Sequence, residues 1–320
     1  MSAASTTPQI KNKAGHRLFY GWVLVMVTMI DGAFSVGTGI WGFSVFMRPM
    51  ERDLGWSRVG ISGVQTIRSL LSGALAPLVG PFQDTRSGPR VLAVIATLAM
   101  GAAVMGPRWA DSLLLFYLTF GVLGALGSLG AGEMLMTAVL PRWFLRYRGR
   151  ALGFASLGSA IGSLFFPFLV AGLIATLGWR DAWLALGLIT LVVLTPLSLL
   201  IRTRPEDSGL LPDGARELPA RPLAEVAVGA GREQGFTRGQ AVRTLSFWLL
   251  VISWSLASVG MTGFHINWLP YFQDLGFTAT QGSLATTAYG VCSVISRLGW
   301  GGLAERFPAR YLLAIQGLLT

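Results

Sequence analysis

Residues 80–90 read Gly80-Pro-Phe-Gln-Asp84-Thr-Arg86-Ser-Gly88-Pro-Arg90, and a similar stretch, Gly301-Gly-Leu-Ala-Glu305-Arg306-Phe-Pro-Ala-Arg310, begins 221 residues later (301 minus 80). Each stretch has a glycine, an acid four residues further on and two arginines after the acid, and each follows a long apolar segment. The repeat predicts two parallel halves related by an axis normal to a membrane, with the two stretches as equivalent loops.

The composition around these loops is that of a membrane protein. Of the 320 residues, 52% are hydrophobic and only 12% are charged, against roughly 25% charged residues in a soluble domain. Apolar runs recur from Gly21 onwards, and each approaches the roughly 20 residues that cross a hydrocarbon core. We predict spans over residues 20–46, 58–80, 90–106, 113–140, 151–177, 181–201, 245–271 and 282–303, with a ninth beginning near Tyr311.

These spans divide the chain into a polar tail (1–19), a six-helix N-terminal half (20–201), a linker (202–244) and a partial C-terminal half (245–320). The linker mixes seven arginines with six acids and several prolines and glycines, a composition that disfavours a folded domain. Because the second half should also contain six helices, we expect an all-α polytopic membrane bundle, truncated at its C-terminal end to about eight and a half of twelve helices.

The net charge of +10 would suit a nucleic-acid-binding protein only if the basic residues shared one solvated face. Instead, 18 of the 25 lysines and arginines lie on the side of the membrane that carries the N-terminus, and five lie on the opposite side. This bias predicts a cytoplasmic N-terminus. We therefore expect an integral protein of the plasma (inner) membrane with no nucleic-acid partner, and we call the cytoplasmic end of each helix its inner end and the opposite end its outer end.

The two repeated stretches resemble the signature loop of the major facilitator superfamily, Gly-x-x-x-Asp-Arg-x-Gly-x-Arg. Thr85 replaces the first arginine of the signature, and Gly88 lies one residue further from Asp84 than in the family. In the second stretch Glu305 replaces the aspartate and Pro308 the glycine. The alternative is a basic turn that only sets topology. The resemblance implies a charge cluster that forms in one of two conformations, a conformational latch made of Gly80, Asp84, Arg86, Gly88, Arg90, Glu305, Arg306 and Arg310.

Within that superfamily the chain resembles the monocarboxylate and oxalate/formate transporter groups. Residues 143–158, Trp-Phe-Leu-Arg-Tyr-Arg-Gly-Arg-Ala-Leu-Gly-Phe-Ala-Ser-Leu-Gly, resemble the monocarboxylate motif Tyr-Phe-x-Lys-Arg-Arg-x-Leu-Ala-x-Gly-x-Ala-x-Ala-Gly. The start of the first span, Tyr20-Gly21-Trp22, resembles the end of another motif of that group. The resemblance implies a secondary transporter of a small organic anion, a mono- or dicarboxylate, that works by alternating access as a symporter or antiporter.

Two other functions compete with transport. A receptor or scaffold could have kept the fold and lost transport, and the altered signature loop favours that hypothesis. A membrane-embedded enzyme would need a nucleophile with a base, or a set of metal ligands, and the sequence has only two histidines and no comparable cluster. We therefore expect no catalytic residue, metal or cofactor.

Ionisable residues within the predicted spans are candidates for function, because an Arg or Asp at a helix centre costs about 2.5 to 3.5 kcal/mol on insertion scales. Arg297 lies eight residues before Glu305, at the position where the resemblance implies an arginine that binds the substrate carboxylate. A guanidinium offers a planar fork of donors that matches a carboxylate. The alternatives for Arg297 are a structural ion pair and a cation that reaches toward the cytoplasm.

Four further ionisable residues lie in spans. Arg68 is either a second contact for the anion or the ion-pair partner of Asp31. Asp31, Glu133 and His265 are candidates for proton or ion coupling, with an ordinary structural hydrogen bond as the alternative for Glu133 and His265.

Two positions depart from the monocarboxylate group. Its helix 8 acid, four residues before the arginine, is Ser293 in this chain, and its helix 1 lysine is Ile40. Proton coupling by that route is therefore not predicted, and the expected partners are a small carboxylate and the lipid bilayer.

Overall fold

Long helices account for most of the chain in a computed structural model that describes residues 19–206, 209–214, 238–277 and 279–304. In chain order they are α1 (Tyr20–Leu54), α2 (Arg58–Gln83), α3 (Gly88–Trp109), α4 (Leu113–Trp143), α5 (Arg148–Leu177), α6 (Trp179–Leu199), α7 (Leu245–Asp274) and α8 (Ala279–Ala304). Helices α1, α3, α4, α5 and α6 are long and apolar enough to cross a membrane. Since the described residues contain no strand, the prediction of an all-α membrane bundle is confirmed.

The remaining predicted spans are occupied by α2, α7 and α8. The predicted start of a ninth span near Tyr311 lies outside the described residues. Short polar residues set several helix boundaries, since Ser57 accepts a hydrogen bond from the N–H of Gly60 (3.1 Å) and Ser112 one from the N–H of Leu115 (3.3 Å). These two serines are N-caps of α2 and α4.

Small residues bring α1 and α5 into close contact. A Cβ atom placed on Gly162 would lie 3.2 Å from Cα of Ala33, and one placed on Gly158 would lie 3.1 Å from the backbone nitrogen of Ala33. Helix association in lipid depends on such close packing, because the tails of the lipids are as apolar as the side chains. Helix α8 also packs against α5, so α5 joins the first six helices to the later ones.

Two hydrophobic cores lie at opposite ends of the six-helix unit. The outer core is aromatic, and in it the rings of Phe46 and Trp183 stack with their centroids 3.8 Å apart. The inner core includes Leu24, Val139 and Trp143. Indole Nε1 of Trp143 donates to the carbonyl oxygen of Arg202 (2.9 Å), which holds the start of the predicted linker against this core.

The linker has a second attachment at Asp213. Its carboxylate accepts hydrogen bonds from the backbone N–H groups of Leu145 (3.1 Å) and Arg146 (2.8 Å), in the loop between α4 and α5. Further on, Arg238–Val242 forms a short helix before α7. Arg202 and Asp213 thus hold the first part of the linker against the inner end of the bundle.

Helix α4 differs from the uninterrupted span predicted over residues 113–140. Its outer half (Leu113–Ser128) contains a π-helical segment, Tyr117–Leu123, and its inner half begins only at Gly132. Gly132 has a φ of 61°, a conformation that glycine adopts without the penalty of a Cβ atom. A hydropathy profile does not show this break in the helix, because the residues at the break are glycine and alanine.

Candidate substrate site and its surroundings

Arg297 lies where α8 meets the first six helices. Its Nη1 donates to the carbonyl oxygen of Ser156 in α5 (2.9 Å), and its Nε donates to the hydroxyl of Ser293 in α8 (3.3 Å). The side chain is partly buried. No described carboxylate pairs with it, so the guanidinium is held at the contact between the two parts of the bundle by neutral oxygens alone.

Aromatic rings gather on the outer side of Arg297. The imidazole of His265 lies 5.1 Å from the ring centroid of Trp41 and 5.0 Å from that of Tyr289, and Trp268 lies 5.9 Å from Tyr289. We call these four residues the aromatic cluster. It joins α1, α7 and α8, and Tyr289 lies two turns before Arg297 on the same face of α8. Indole Nε1 of Trp268 is buried without a hydrogen-bond partner.

Arg68 lies beside a π-helical segment of α1, Gly37–Trp41. A Cβ atom on Gly39 would come within 2.9 Å of Nη1 of Arg68, so the absence of a side chain at Gly39 makes room for the guanidinium. On its other side the guanidinium carbon lies 5.6 Å from the ring centroid of Phe120 in α4. The neighbouring Gln65 donates to the carbonyl oxygen of Gly39. No hydropathy or motif signal predicts this π segment, although π turns often occur at functional sites.

Asp31 and Arg68 do not pair in the described structure. Asp31 is buried, with 5% of its surface exposed, and its Oδ2 accepts a hydrogen bond from the backbone N–H of Gly132. Glu133 is the next residue, and its side chain is exposed. Asp31 therefore contacts the start of the inner half of α4 rather than the arginine considered as its partner.

The residues of the predicted latch that fall in the described chain surround the loop between α2 and α3. Asp84 accepts from Nη2 of Arg142 (3.3 Å), which also donates to the carbonyl oxygen of Gln83 (3.1 Å). A side chain at Gly88 would collide with the carbonyl oxygen of Phe82. Arg142 was not among the predicted latch residues. The sequence feature that could have identified it is its position next to the basic loop after α4. Gly80 and Arg90 lie at the adjoining inner ends of α2 and α3 with Arg86 between them, whereas Glu305, Arg306 and Arg310 lie outside the described residues.

A second charged group lies at the outer end and was not predicted. Asp274, the last residue of α7, pairs with Arg48 of α1 (3.1 Å) and with Arg58 at the start of α2, and Arg58 also pairs with Glu51 (2.9 Å). We call these four residues the outer ion cluster. The hydrogen bond from Arg58, opposed by partial desolvation, lowers the pKa of Asp274. The cluster connects the first six helices to α7.

Metal binding has no support in the described ranges, where no group of three His, Cys, Asp or Glu side chains could hold an ion. The described ion pairs lie at the two ends of the bundle: the pair of Asp84 and Arg142 at the inner end, and at the outer end the outer ion cluster together with the ion pairs of Arg108 and of Arg180. Arg297, Arg68 and the aromatic cluster lie on helices between the two ends.

Comparison with known proteins gives the family. A model of the Major Facilitator Superfamily matches residues 32–320. The chain belongs to the major facilitator superfamily. This finding confirms the resemblance predicted from the two repeated loops and places the chain in a family of transporters rather than enzymes.

Members of the superfamily that resemble this chain include two monocarboxylate transporters and an oxalate:formate antiporter. Monocarboxylate transporter 11 of Mus musculus is 26% identical over 308 residues, which cover 94% of this chain and 63% of that protein. The oxalate:formate antiporter of Oxalobacter formigenes is 24% identical over 306 residues, covering 94% of this chain and 66% of that protein. Monocarboxylate transporter 13 of Rattus norvegicus is 24% identical over 94% of this chain. The chain thus spans about two thirds or less of the length of these relatives.

Proposed function

We propose that the protein is a secondary active transporter of a small organic anion, a mono- or dicarboxylate, that works by alternating access. The observation that supports it most directly is the position of Arg297, a membrane-embedded guanidinium at the contact between α5 and α8 with no described carboxylate partner. The names of the relatives support the same substrate class, since one is an oxalate:formate antiporter and two are monocarboxylate transporters. We further propose that the N-terminus is cytoplasmic and that the carrier resides in the plasma membrane.

In this mechanism Arg297 binds the carboxylate. The two neutral acceptors, Ser156 and Ser293, leave the positive charge of the guanidinium uncompensated, and the shorter hydrogen bond, to the carbonyl oxygen of Ser156, fixes the direction of its fork. An incoming carboxylate supplies the charge that the site lacks and can accept two parallel N–H donors. Arg68 serves as the second cation, since among the described residues it has an aromatic neighbour and no ion-pair partner.

The first experiment measures uptake of labelled lactate, formate and oxalate by the full-length gene product in proteoliposomes. Arg297→Ala should abolish uptake while membrane insertion stays normal, because the substrate then loses its only charge-assisted contact on α8. Arg297→Lys keeps the charge and loses the planar fork, so it should retain a small fraction of the rate. Wild-type uptake by Arg297→Ala would show that Arg297 does not bind the substrate.

Ser293→Ala provides the matched control. It removes the hydroxyl that accepts from Nε of Arg297 (3.3 Å) and leaves the bond to Ser156 in place. We expect this variant to keep most of the uptake and all of its dependence on a pH gradient. Loss of the pH dependence in Ser293→Ala would mean that coupling does run through the position at which the monocarboxylate group carries its acid.

A further inference from the structure

The inner half of α4, Gly132–Trp143, begins inside the bundle without a cap of its own. The residue at its N-cap position is Ala131, whose backbone is extended (φ −127°, ψ 169°) and whose side chain has no hydrogen-bonding atom. The first N–H groups of a helix have no partner within the helix, and serine, threonine, aspartate or asparagine usually supplies one from the N-cap. This helix must take its cap from elsewhere.

Asp31 of α1 supplies that cap. Its Oδ2 accepts from the N–H of Gly132, so the positive end of a helix dipole stabilises the carboxylate, while burial away from water disfavours its charge. No described cation pairs with Asp31. Its own helix places it well away from Arg68, which lies beside Gly39, eight residues further along α1.

The other charged or titratable groups on the elements that pack against α1 are few. Glu133 follows Gly132 directly, and its side chain is exposed. Arg297 reaches α5 at Ser156, and His265 reaches α1 at Trp41. The remaining charged ones lie at helix ends: Arg58 on α2, Arg142 on α4, Arg148 and Arg150 on α5, Arg180 and Asp181 on α6, and Asp274 on α7.

The same half-helix carries the inner ion pair at its other end. It contains 12 residues and ends at Trp143, so it is about 18 Å long. Arg142, in its last turn, binds Asp84 (3.3 Å) and the carbonyl oxygen of Gln83 (3.1 Å). A change at the Asp31 cap is therefore connected by one rigid segment to the loop between α2 and α3.

We propose that Asp31 is a proton-binding site of the carrier, and that its protonation releases the inner half of α4 from α1. The proton adds to a carboxylate oxygen and leaves from the same atom when the site faces the other side, so the step has no other reactant. The neutral acid loses the charge assistance of its hydrogen bond to Gly132 and its attraction to the helix dipole. The coupling to transport rests on the proposed function, whereas the proton-controlled cap does not.

The cap is tested by hydrogen–deuterium exchange of the peptide that contains residues 129–137, in the full-length protein in nanodiscs. After correction for intrinsic rates, exchange in the wild type should rise about tenfold between about pH 8 and about pH 5, because the protonated acid holds the N–H of Gly132 less well. Asp31→Asn keeps an oxygen acceptor and cannot titrate, so its corrected exchange should stay constant. A wild-type profile without a pH dependence, or the same dependence in Asp31→Asn, would overturn the proposal.

Two variants separate titration from stability. Glu133→Gln removes the adjacent acid and should keep the wild-type pH profile. Ala131→Ser gives the half-helix its own N-cap. The double variant Ala131→Ser, Asp31→Asn should therefore fold even if Asp31→Asn alone does not. Its corrected exchange should show no pH dependence. A pH dependence that persists in this double variant would also overturn the proposal.

The transport arm uses labelled lactate and oxalate with an inward proton gradient. We expect the gradient to stimulate wild-type uptake several-fold and to leave uptake by Asp31→Asn unstimulated. If neither anion is transported while the exchange result holds, the proposed function fails and the proton site stands. If uptake proceeds and Asp31→Asn responds to the gradient like the wild type, the proton site fails and the carrier stands.

Discussion

The outer ion cluster and the inner ion pair differ in what they connect. At the outer end Asp274 of α7 binds Arg48 and Arg58 of the first six helices, so its ion pairs cross between the two parts of the bundle. At the inner end Asp84 binds Arg142, and both residues belong to the first six helices. An ion pair whose two residues belong to the same half keeps its partners when the halves move against each other, so by itself it does not favour one arrangement of the halves over the other. Only ion pairs that connect the first six helices to the later helices can do so.

The acid whose ion pairs connect the two parts of the bundle is also the less exposed of the two. The Asp274 side chain is 49% exposed, whereas the Asp84 side chain is 81% exposed. Under alternating access, a state closed at the outer end should have crossing contacts there. Among the described residues, the ion pairs of Asp274 connect the two parts of the bundle at the outer end. The aromatic cluster lies between that end and Arg297.

The largest effect in this comparison is expected from Asp274→Asn. Removing the shared carboxylate breaks the ion pairs with Arg48 and Arg58 at once and should shift the carrier toward the state that is open at the outer end. A cysteine at Ser293, in a Cys292→Ser background, reports this opening because Ser293 lies on the face of α8 between Tyr289 and Arg297. Its labelling by a membrane-impermeant thiol reagent added at the outer end should accelerate several-fold.

Asp111→Asn is the matched control for that experiment. Asp111 pairs with Arg180 at 3.1 Å, on the same side of the membrane but within the first six helices. Its loss should leave the labelling of Ser293→Cys unchanged. Equal acceleration by Asp111→Asn and Asp274→Asn would mean that any loss of outer charge opens the bundle, and that the crossing pairs have no special role.

A smaller effect of opposite sign is expected from Asp84→Asn. Because Asp84 and Arg142 both belong to the first six helices, we expect their pair to persist in both conformations. The variant should then act only through additional contacts that the latch makes when the outer end is open. Losing those contacts should slow the labelling of Ser293→Cys by at most about fivefold, the equivalent of an exposed ion pair worth up to about 1 kcal/mol. Unchanged labelling would favour the alternative in which this loop only sets topology.

The sequence was sufficient to predict the helices and the family, because apolar runs of membrane length and a loop repeated after 221 residues survive in the composition and spacing of the residues. It was also sufficient to single out Arg297 and Asp31 as candidates, because charges within apolar spans are conspicuous. What those side chains contact could not be predicted. Asp31 was considered as a partner of Arg68, and the break in α4 gave it a backbone N–H instead.

Features that depend on distant parts of the chain were not visible either. Asp274 lies 216 residues from Arg58, and neither residue lies in a motif or an apolar span centre. The π-helical segment of α1 leaves the hydropathy pattern unchanged, yet it makes room for Arg68 beside Gly39. Such contacts follow from how helices are placed against each other, and a hydropathy profile carries no information on that placement.

The smallest expected effect concerns the pH dependence of the outer ion cluster itself. The hydrogen bond from Arg58 lowers the pKa of Asp274 below its ordinary value of 3.8. The ion pairs of Asp274 are therefore fully present above pH 3.8 and are lost only as the pH falls through the lowered pKa. In an Asp31→Asn background, which removes the proposed proton site, the labelling rate of Ser293→Cys, divided by the rate for a free thiol at the same pH, should therefore stay constant from about pH 8 to about pH 5. It should rise only below about pH 4. A rise between about pH 8 and about pH 5 in this background would mean that a group other than Asp31 and Asp274 controls the outer end, with His265 of the aromatic cluster as the first candidate.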